Sequence, residues 1–323
     1  MSLYLITGIG GFIGSSIARA LLSRGEKVRG VDNFSTGNRD NIQEILDRID
    51  FREADILDLG GMHEACVGVD FVLHQAAIPS VPKSVLDPLG SNRANIDGTV
   101  NVLVAARDAK VKRVVYAASS SAYGDTPTMP KHEAMRPDPI SPYAVAKLAS
   151  EHYMISFYRC YGLETVCLRY FNIFGPHQDP SSPYSGVLAK FITQMLRGEQ
   201  PTIFGDGEQS RDFTYIDNAV EANLLACKAS AAKAAGQVFN TATGRRVTLN
   251  ETFKLLQGMT AYKGQPKYGP ERGGDIKHSL ANISSAEAAL GYKPEVDFEE
   301  GLRRTVEWYR ESDVTLQTSD LGH

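Results

Sequence analysis

A tyrosine and a lysine four residues apart, Tyr143 and Lys147, are the pair in this chain best suited to move a proton. A free tyrosine has a pKa of about 10, so it needs a nearby positive charge to act as a base at neutral pH. Positions four apart share one face of a helix, and the spacing therefore predicts that the Lys147 ammonium lies close to Tyr143. An exposed helical Tyr-Lys pair is the alternative interpretation.

The run Ser119-Ser120-Ser121 follows the apolar segment 113–118, which has the pattern of a buried strand. Parallel α/β sheets bind their ligands at the carboxyl ends of strands. A hydroxyl at this end can hold a reacting oxygen beside Tyr143, and Ser119 is the first candidate, followed by Ser121. A polar loop without a catalytic role is the other interpretation.

Three glycines spaced three apart, Gly8, Gly11 and Gly14, lie between the apolar run 3–6 and the helical pattern 12–22. The order strand, glycine turn, helix is typical of a dinucleotide-binding turn. In such a turn, we expect Gly8 to allow the tight bend, Gly11 to let the backbone approach a pyrophosphate, and Gly14 to let the helix pack closely. The helix N-terminus then presents N–H groups to the anion.

Asp32 ends the next apolar run, at the distance where a carboxylate can accept hydrogen bonds from an adenosine ribose. A 2′-phosphate at this place would face the carboxylate, which favours NAD over NADP. A surface carboxylate in a turn is the alternative. Asp55 and Ile56 follow the third apolar run, where they are expected to cover the adenine.

The composition limits the partners and the compartment. The 323 residues carry 34 basic and 38 acidic side chains, a formal net charge of −4, without long runs of one sign, which does not favour nucleic acid or an anionic membrane. No apolar stretch approaches the roughly 20 residues that span a bilayer, and the first strand leaves no room for a signal peptide, so we expect a cytoplasmic protein. The four cysteines lack a C-x-x-C pair and resemble small apolar core residues, His74 resembles a buried structural histidine, and no metal site is predicted.

Alternating apolar runs and helical patterns predict a Rossmann-type doubly wound parallel sheet over residues 1–172, with some later segments returning to it. Residues 173–312 are expected to form mainly a smaller α/β substrate-binding domain, and 313–323 a polar tail. The predicted strands lie near 3–6, 27–31, 49–51, 69–73, 113–118 and 164–168, and the later helices near 185–197, 217–230, 249–257, 283–290 and 298–311.

The motifs, in this order, resemble the extended short-chain dehydrogenase/reductases, and more narrowly the UDP-sugar 4-epimerases, over nearly all of the chain. The residues that carry the resemblance are the glycine turn, Asp32, His74-Gln75-Ala76-Ala77, Ser119-Ser120-Ser121-Ala122-Tyr123-Gly124, Tyr143-x-x-x-Lys147, Tyr170-Phe171-Asn172 and Arg211-Asp212-Phe213. The resemblance implies that Tyr143 takes the C4 hydroxyl proton of a UDP-hexose while hydride passes to NAD. The resulting 4-ketose turns over and is reduced from its other face.

The resemblance also implies the binding residues. For NAD they are Gly8, Gly11, Phe12, Ile13, Gly14, Asp32, Asn33, Asp55, Ile56, Gln75, Ala76, Ala77, Asn95, Tyr143, Lys147 and Tyr170. For the UDP-sugar they are Ser119, Ser121, Asn172, Val187 and Leu188 beside the uracil, Arg211 and Arg272 on the phosphates, Asp275 on the uridine ribose, and Ser279. Arginine suits the phosphate role because its planar guanidinium donates two parallel hydrogen bonds.

The choice of sugar depends mainly on Ser279, which aligns with the position that sets the room beside C2 of the hexose in these epimerases. A tyrosine there fills the volume that an acetamido group needs, whereas a serine leaves it open. The segment Gln75–Val85 also resembles the N-acetylhexosamine epimerases. UDP-N-acetylglucosamine is therefore the predicted substrate, with UDP-glucose activity in addition.

Two alternatives and one assembly hypothesis remain open. A UDP-glucuronate 4-epimerase or decarboxylase fits the fold, and so does, from another class, an NAD-sensing regulatory protein without chemistry. A 4,6-dehydratase is disfavoured because its usual Thr-Asp-Glu is Ser119-Ser120-Ser121 here. Helices near 91–107 and 142–160 suggest a homodimer through a four-helix contact; packing on the sheet alone is the alternative, and solvent exposure of Leu103, Ala106 and Tyr158 in one chain would argue against the dimer.

Overall fold

The computed structural model describes residues 1–180, 186–271 and 276–319, with side chains up to residue 312. A seven-stranded, fully parallel sheet lies at its centre. Six of the strands come from residues 1–172 and confirm the six predicted runs: β1 Leu3–Thr7, β2 Lys27–Asp32, β3 Asp50–Glu53, β4 Phe71–His74, β5 Arg113–Ser119 and β6 Glu164–Tyr170.

The helices between these strands cover both faces of the sheet, as a doubly wound fold requires. They are α1 Phe12–Ser23, α2 Leu59–Cys66, α3 Val81–Leu86, α4 Pro88–Asn92, α5 Gly98–Asp108 and α6 Pro142–Tyr161, with short 3₁₀ turns at Arg39–Asn41, Gln43–Arg48 and Ser120–Tyr123. This arrangement confirms the predicted α/β fold class.

One helix differs from its prediction. The expected continuous helix near 91–107 consists of α4, a wider π turn at Arg93–Asp97, and α5. The carbonyl of Asn95 accepts hydrogen bonds from the hydroxyls of Thr99, at 2.6 Å, and Ser150, at 2.7 Å. Two side-chain hydroxyls thus bind the Asn95 carbonyl, which in a regular helix accepts a backbone N–H. Groups that insert into the backbone hydrogen bonds of a helix in this way widen or bend it.

The second half contributes one more strand to the sheet. Strand β11, Gln237–Thr241, pairs with β6, so the spatial order is β11-β6-β5-β4-β1-β2-β3, and the remaining strands of the described residues form three two-stranded sheets. Helix α12, Phe298–Ser319, continues beyond its predicted end at 311 into the segment expected to be a polar tail. The elements are β7 Ile173–Phe174, α7 Val187–Leu196, β8 Thr202–Phe204, β9 Ser210–Arg211, β10 Thr214–Tyr215, α8 Ile216–Lys228, α9 Ala231–Ala234, β11 Gln237–Thr241, β12 Val247–Thr248, α10 Leu249–Thr260, β13 Lys267–Gly269, α11 Ser284–Leu290 and α12 Phe298–Ser319.

The strand order reverses beside β1, and ligands of such sheets bind outside the carboxyl ends of the strands at this point.

His74, at the end of β4, is fully buried, as predicted, between the hydroxyls of Thr7 at 2.7 Å and Thr99 at 3.0 Å. Three cysteines are buried core residues, but Cys160 is exposed, which contradicts its prediction, because it lies on the outer face of α6. Within the described ranges, no helix is long and apolar enough to cross a membrane.

Candidate active site

A cleft of about 1060 Å³ opens at the carboxyl ends of the central strands. It brings together most of the residues that the sequence nominates for cofactor, substrate and catalysis. The predicted residues that line it are Gly8, Gly11, Phe12, Ile13, Gly14, Asp32, Asn33, Asp55, Ile56, Gln75, Ala76, Ala77, Ser119, Ser121, Tyr143, Lys147, Tyr170, Asn172, Arg211 and Ser279.

The glycine turn forms one wall of this cleft, and its backbone leaves no room for side chains. Gly8 has a φ of +72°, and a Cβ there would lie 2.6 Å from the backbone nitrogen of Ala76. A Cβ on Gly14 would lie 2.2 Å from the carbonyl oxygen of Gly8, so α1 packs directly on the turn. Gly11 precedes α1 and gives it no side-chain cap. The first-turn amides of α1 are therefore available to an anion, as a pyrophosphate site requires.

Asp32 is nearly buried at the end of β2, next to the glycine turn. Its carboxylate accepts hydrogen bonds from the backbone N–H groups of Gly10 and Phe34, both at 2.8 Å. Burial raises the pKa of this carboxyl, and these hydrogen bonds oppose the shift. Each oxygen accepts one backbone bond and keeps a lone pair, so the carboxylate can still accept a ribose hydroxyl in the cleft.

The loop that follows Asp32 closes over the glycine turn, and sequence reasoning named only Asn33 in it. Asn38 donates its backbone N–H to the carbonyl of Gly10 at 3.0 Å, and the Asn41 side chain donates to the same oxygen at 2.9 Å. Asn33 donates to the Asp55 carboxylate at 2.9 Å. In the sequence, this loop could have been recognised from the mostly small and polar residues that directly follow Asp32. Its members that line the cleft are Asn33, Ser35, Thr36, Gly37, Asn38 and Asn41.

Tyr143 and Ser119 meet in the cleft, at the start of α6 and the end of β5. Burial raises the pKa of the Tyr143 phenol, whereas a hydrogen bond with the Ser119 side chain lowers it. Ser121 donates its hydroxyl to Ser119 Oγ at 2.8 Å and its backbone N–H to the same atom at 3.2 Å. Ser119 is therefore the hydroxyl that faces the tyrosine, and Ser121 orients it.

Lys147 lies one helical turn beyond Tyr143 on the same helix, and both line the cleft. Its Nζ donates to the carbonyl of Ala117 at 2.9 Å and lies 4.8 Å from the centre of the Tyr116 ring. No described carboxylate pairs with it, and burial lowers the pKa of this amine to about 7. A buried amine needs an acceptor, and the Ala117 carbonyl provides it here.

Asn172, Arg211 and Ser279 line the substrate end of the cleft. The Asn172 side chain donates to the Asp212 carbonyl at 3.0 Å and to Ser279 Oγ at 3.3 Å. Arg211 donates to the carbonyl oxygens of Ser210, at 3.0 Å, and Lys277, at 3.1 Å. Arg272 and Asp275 lie outside the described residues.

The structure places three nominated side chains away from the cleft. Asn95 is buried behind its wall, where its side chain accepts the Ile78 N–H at 3.0 Å and so supports the loop after β4. Val187 and Leu188 begin α7 with side chains packed into the core, because that helix turns its apolar face inward. Only Gly186, just before α7, lines the cleft. Of the three residues 186–188, it is thus the backbone of Gly186 that reaches the cleft.

A further segment that borders the cleft had no sequence signal that we recognised. His177, Gln178 and Asp179 line it. His177 has a φ of +67° and packs against Trp308 of α12, with ring centres 4.8 Å apart. The C-terminal helix thus supports the wall of the cleft from outside.

Comparison with known proteins decides the family. A model described as the NAD dependent epimerase/dehydratase family matches residues 4–242. The chain belongs to this family. The cofactor is therefore NAD, and the crowded glycine turn, the uncapped start of α1 and the carboxylate of Asp32 fit a dinucleotide without a 2′-phosphate.

Relatives of this epimerase-family chain confirm its resemblance to the UDP-sugar 4-epimerases. The UDP-glucose 4-epimerase of Thermotoga maritima, solved with UDP-glucose, is 40% identical, with a TM-score of 0.91 over 96% of this chain and 99% of that one. The UDP-N-acetylglucosamine 4-epimerase of Methanobrevibacter ruminantium, solved with UDP-N-acetylmuramic acid, is 41% identical, with the same TM-score and coverage. A UDP-glucuronate 4-epimerase of Thermodesulfobacterium geofontis is 33% identical over 97% of both chains.

Proposed function

We propose that this enzyme interconverts UDP-N-acetylglucosamine and UDP-N-acetylgalactosamine by inverting C4, and that it also accepts UDP-glucose and UDP-galactose. The family and the relatives support the class of reaction, 4-epimerisation of a UDP-sugar through a transient 4-ketose. The position of Ser279 carries the choice of sugar.

The residues of the cleft divide the chemistry between them. Tyr143 removes the proton of the C4 hydroxyl, and Ser119 holds the same oxygen by a hydrogen bond. The charge of Lys147, buried at the foot of the cleft, favours the phenolate of Tyr143. When bound, NAD supplies the acceptor and later the donor of the C4 hydride. Asn172 and Arg211 hold the UDP moiety, so that the ketose can turn without leaving.

Ser279 supports a substrate with a bulky group at C2. Its small side chain lines the cleft, and its Oγ accepts hydrogen bonds from the Asn172 side chain and the Asp212 N–H, both at 3.3 Å. These two donors hold the hydroxyl against the wall, which leaves the neighbouring volume open. An acetamido group needs this volume, and steric exclusion would otherwise be a strong filter.

A second candidate activity, 4-epimerisation of UDP-glucuronate, is favoured by the hydroxyl of Ser120. This residue lines the cleft beside Ser119, and a hydroxyl group can donate to the carboxylate that such a substrate carries at C5. The decarboxylase alternative shares this recognition. By contrast, family membership and the meeting of Tyr143 with Ser119 support an enzyme over a non-catalytic NAD sensor.

Proton NMR of the purified protein with each sugar nucleotide tests the proposal. UDP-N-acetylglucosamine, UDP-glucose and UDP-glucuronate are supplied separately, first without and then with added NAD. The proposal expects the C4 epimer from the first two and none from Tyr143→Phe. Conversion of UDP-glucuronate alone, with or without loss of CO₂, overturns the choice of sugar. If none of the three sugar nucleotides is converted, the proposed activity is overturned.

We also propose a homodimer that forms through α6 and the neighbouring α3–α4 segment. By the criterion given with the hypothesis, the burial of Leu103 and Ala106 leaves the dimer open, whereas Tyr158, which is 37% exposed, argues against it. The support comes from other apolar side chains that this face leaves in solvent, namely Val85, Leu86, Leu89, Val145 and Tyr153. Light scattering of the wild type and of Leu89→Glu tests this: a dimer that the substitution dissociates is expected, and a wild-type monomer refutes it.

A further inference from the structure

Asn223, on α8, forms a closed ring of hydrogen bonds with two residues of the cleft wall. Its side-chain nitrogen donates to the hydroxyl oxygen of Tyr170 at 2.7 Å. The Tyr170 hydroxyl donates to Gln75 Oε1 at 3.1 Å, and Gln75 Nε2 donates back to Asn223 Oδ1 at 3.1 Å. Asn223 itself is fully buried, whereas Gln75 and Tyr170 line the cleft.

The ring has a single direction, because the Ala219 carbonyl can only accept and so fixes which end of the Asn223 amide is the nitrogen. A tyrosine hydroxyl has one proton, and here it goes to Gln75, so the same oxygen must accept from Asn223. The second N–H of Asn223 is also committed, because it donates to the carbonyl of Ala219 at 2.7 Å. The orientations of both amides follow from these bonds. Gln75 keeps one N–H, and Tyr170 keeps part of its oxygen's acceptor capacity, for a ligand in the cleft.

The ring lies beside the strand that carries the catalytic serine. Gln75 follows β4 and Tyr170 ends β6, which are the two neighbours of β5 in the sheet. Tyr170 is the register partner of Ser119 at the end of β5. Asn223 therefore holds, from outside the cleft, two polar side chains that flank the site of reaction.

We infer that Asn223 is a positioning residue for the cofactor: it fixes the Gln75 and Tyr170 side chains in the orientation in which they meet NAD. The inference goes beyond the proposed function, because it concerns binding of NAD and does not depend on which sugar is epimerised. A buried polar group that lacks a hydrogen-bond partner is costly. Without the Asn223 side chain, Gln75 and Tyr170 therefore turn to other partners and leave the orientation that the ring imposes.

Asn223→Asp and Asn223→Leu test this inference, with Asn218 as the matched control. Asn218 is a buried asparagine on the same helix, but its side chain binds the backbone of Glu295 and Val296, and none of these three residues lines the cleft. The measurements are the NAD content of the purified proteins, the NAD affinity of the NAD-free proteins by calorimetry, and the rise in Tm that NAD causes. None of these requires turnover.

The Asn223 variants are expected to lose about tenfold in NAD affinity and most of the Tm rise, whereas Asn218→Asp lowers the Tm of the NAD-free protein and keeps NAD affinity within twofold. Equal NAD affinity in the Asn223 variants and the wild type overturns the inference. If Asn223→Leu does not fold, Tyr170→Phe opens the ring from the other side. Tyr170→Phe combined with Asn223→Asp should cost no more NAD affinity than either change alone, and additive losses also overturn the inference.

Discussion

The Nζ atom of Lys147 donates a hydrogen bond to the carbonyl oxygen of Ala117 at 2.9 Å, which anchors the catalytic helix α6 to the end of β5. This bond satisfies the amine but does not neutralise its charge. Burial lowers the pKa of Lys147 to about 7, so the folded NAD-free protein releases this proton far more readily than the unfolded chain does. Its protonation therefore couples to folding.

The pH dependence of stability follows from this shift. Below about pH 7 both folded and unfolded chains hold the Lys147 proton, and the full penalty of burying an ammonium is present. Between about pH 7 and the unfolded pKa of about 10.5, the unfolded state binds more protons, so the free energy of unfolding rises with pH, by up to about 1.4 kcal/mol per unit. Urea unfolding of NAD-free protein at pH 7 and pH 9 should show a larger gain for the wild type than for Lys147→Met. Equal gains would contradict the assignment.

Tyr143→Phe removes the group that moves the C4 proton and leaves the ring in place. We expect turnover to fall by about 10²–10⁴-fold. Ser119→Ala should cost less, because the tyrosine remains. Tyr153→Phe is the control, since Tyr153 is an exposed tyrosine on the same helix. The measurement is the initial rate of epimerisation of each variant by NMR. A Tyr143→Phe enzyme with the wild-type rate would refute the role of Tyr143 as the group that moves the C4 proton.

Ser279→Tyr should close the volume beside C2 of the sugar. We expect kcat/KM for UDP-N-acetylglucosamine to fall at least about tenfold, while UDP-glucose turnover is retained. Ser279→Ala removes the hydroxyl but leaves the space, so it should keep both activities. Equal loss of both substrates in Ser279→Tyr would mean that the residue supports the cleft and does not select the sugar.

Gly14→Ala should disrupt the packing of α1 on the glycine turn. The added Cβ would lie 2.2 Å from the Gly8 carbonyl oxygen, and the helix must move. We expect a loss of about 1–3 kcal/mol in the free energy of unfolding, together with weaker NAD binding. Gly258→Ala, in α10, meets no heavy atom within 4 Å and should be neutral or stabilising. Urea unfolding and NAD titration compare the two, and equal behaviour would contradict the packing argument.

Local spacing predicted those parts of the site that depend on neighbours in the chain. Gly8 and Gly14 lie where a strand turns into a helix, and the motif describes that geometry completely. The partner of Lys147 could not be predicted in the same way, because the acceptor is the Ala117 carbonyl and a backbone group has no sequence signature. The direction of the Leu188 side chain could not be predicted for a related reason: the resemblance gave its segment, but which face of α7 turns to the core depends on tertiary packing.

The Gln75–Asn223 bond joins residues 148 positions apart, and nothing in either local sequence indicates the other. Asparagine on a helix is most often exposed or at a cap. Only the parallel order of the sheet brings α8 beneath the ends of β4 and β6. Features of this kind depend on the topology and are therefore visible only in the structure.

Strand β11 covers the edge of β6 and becomes the outer strand in its place, although about 66 residues separate the two strands along the chain. The family match ends at residue 242, directly after this strand. During synthesis from the amino terminus, β6 therefore leaves the ribosome well before its neighbour. Until β11 emerges, the growing chain presents an open edge of unpaired backbone groups, and this interval is when it is most exposed to association with other strands.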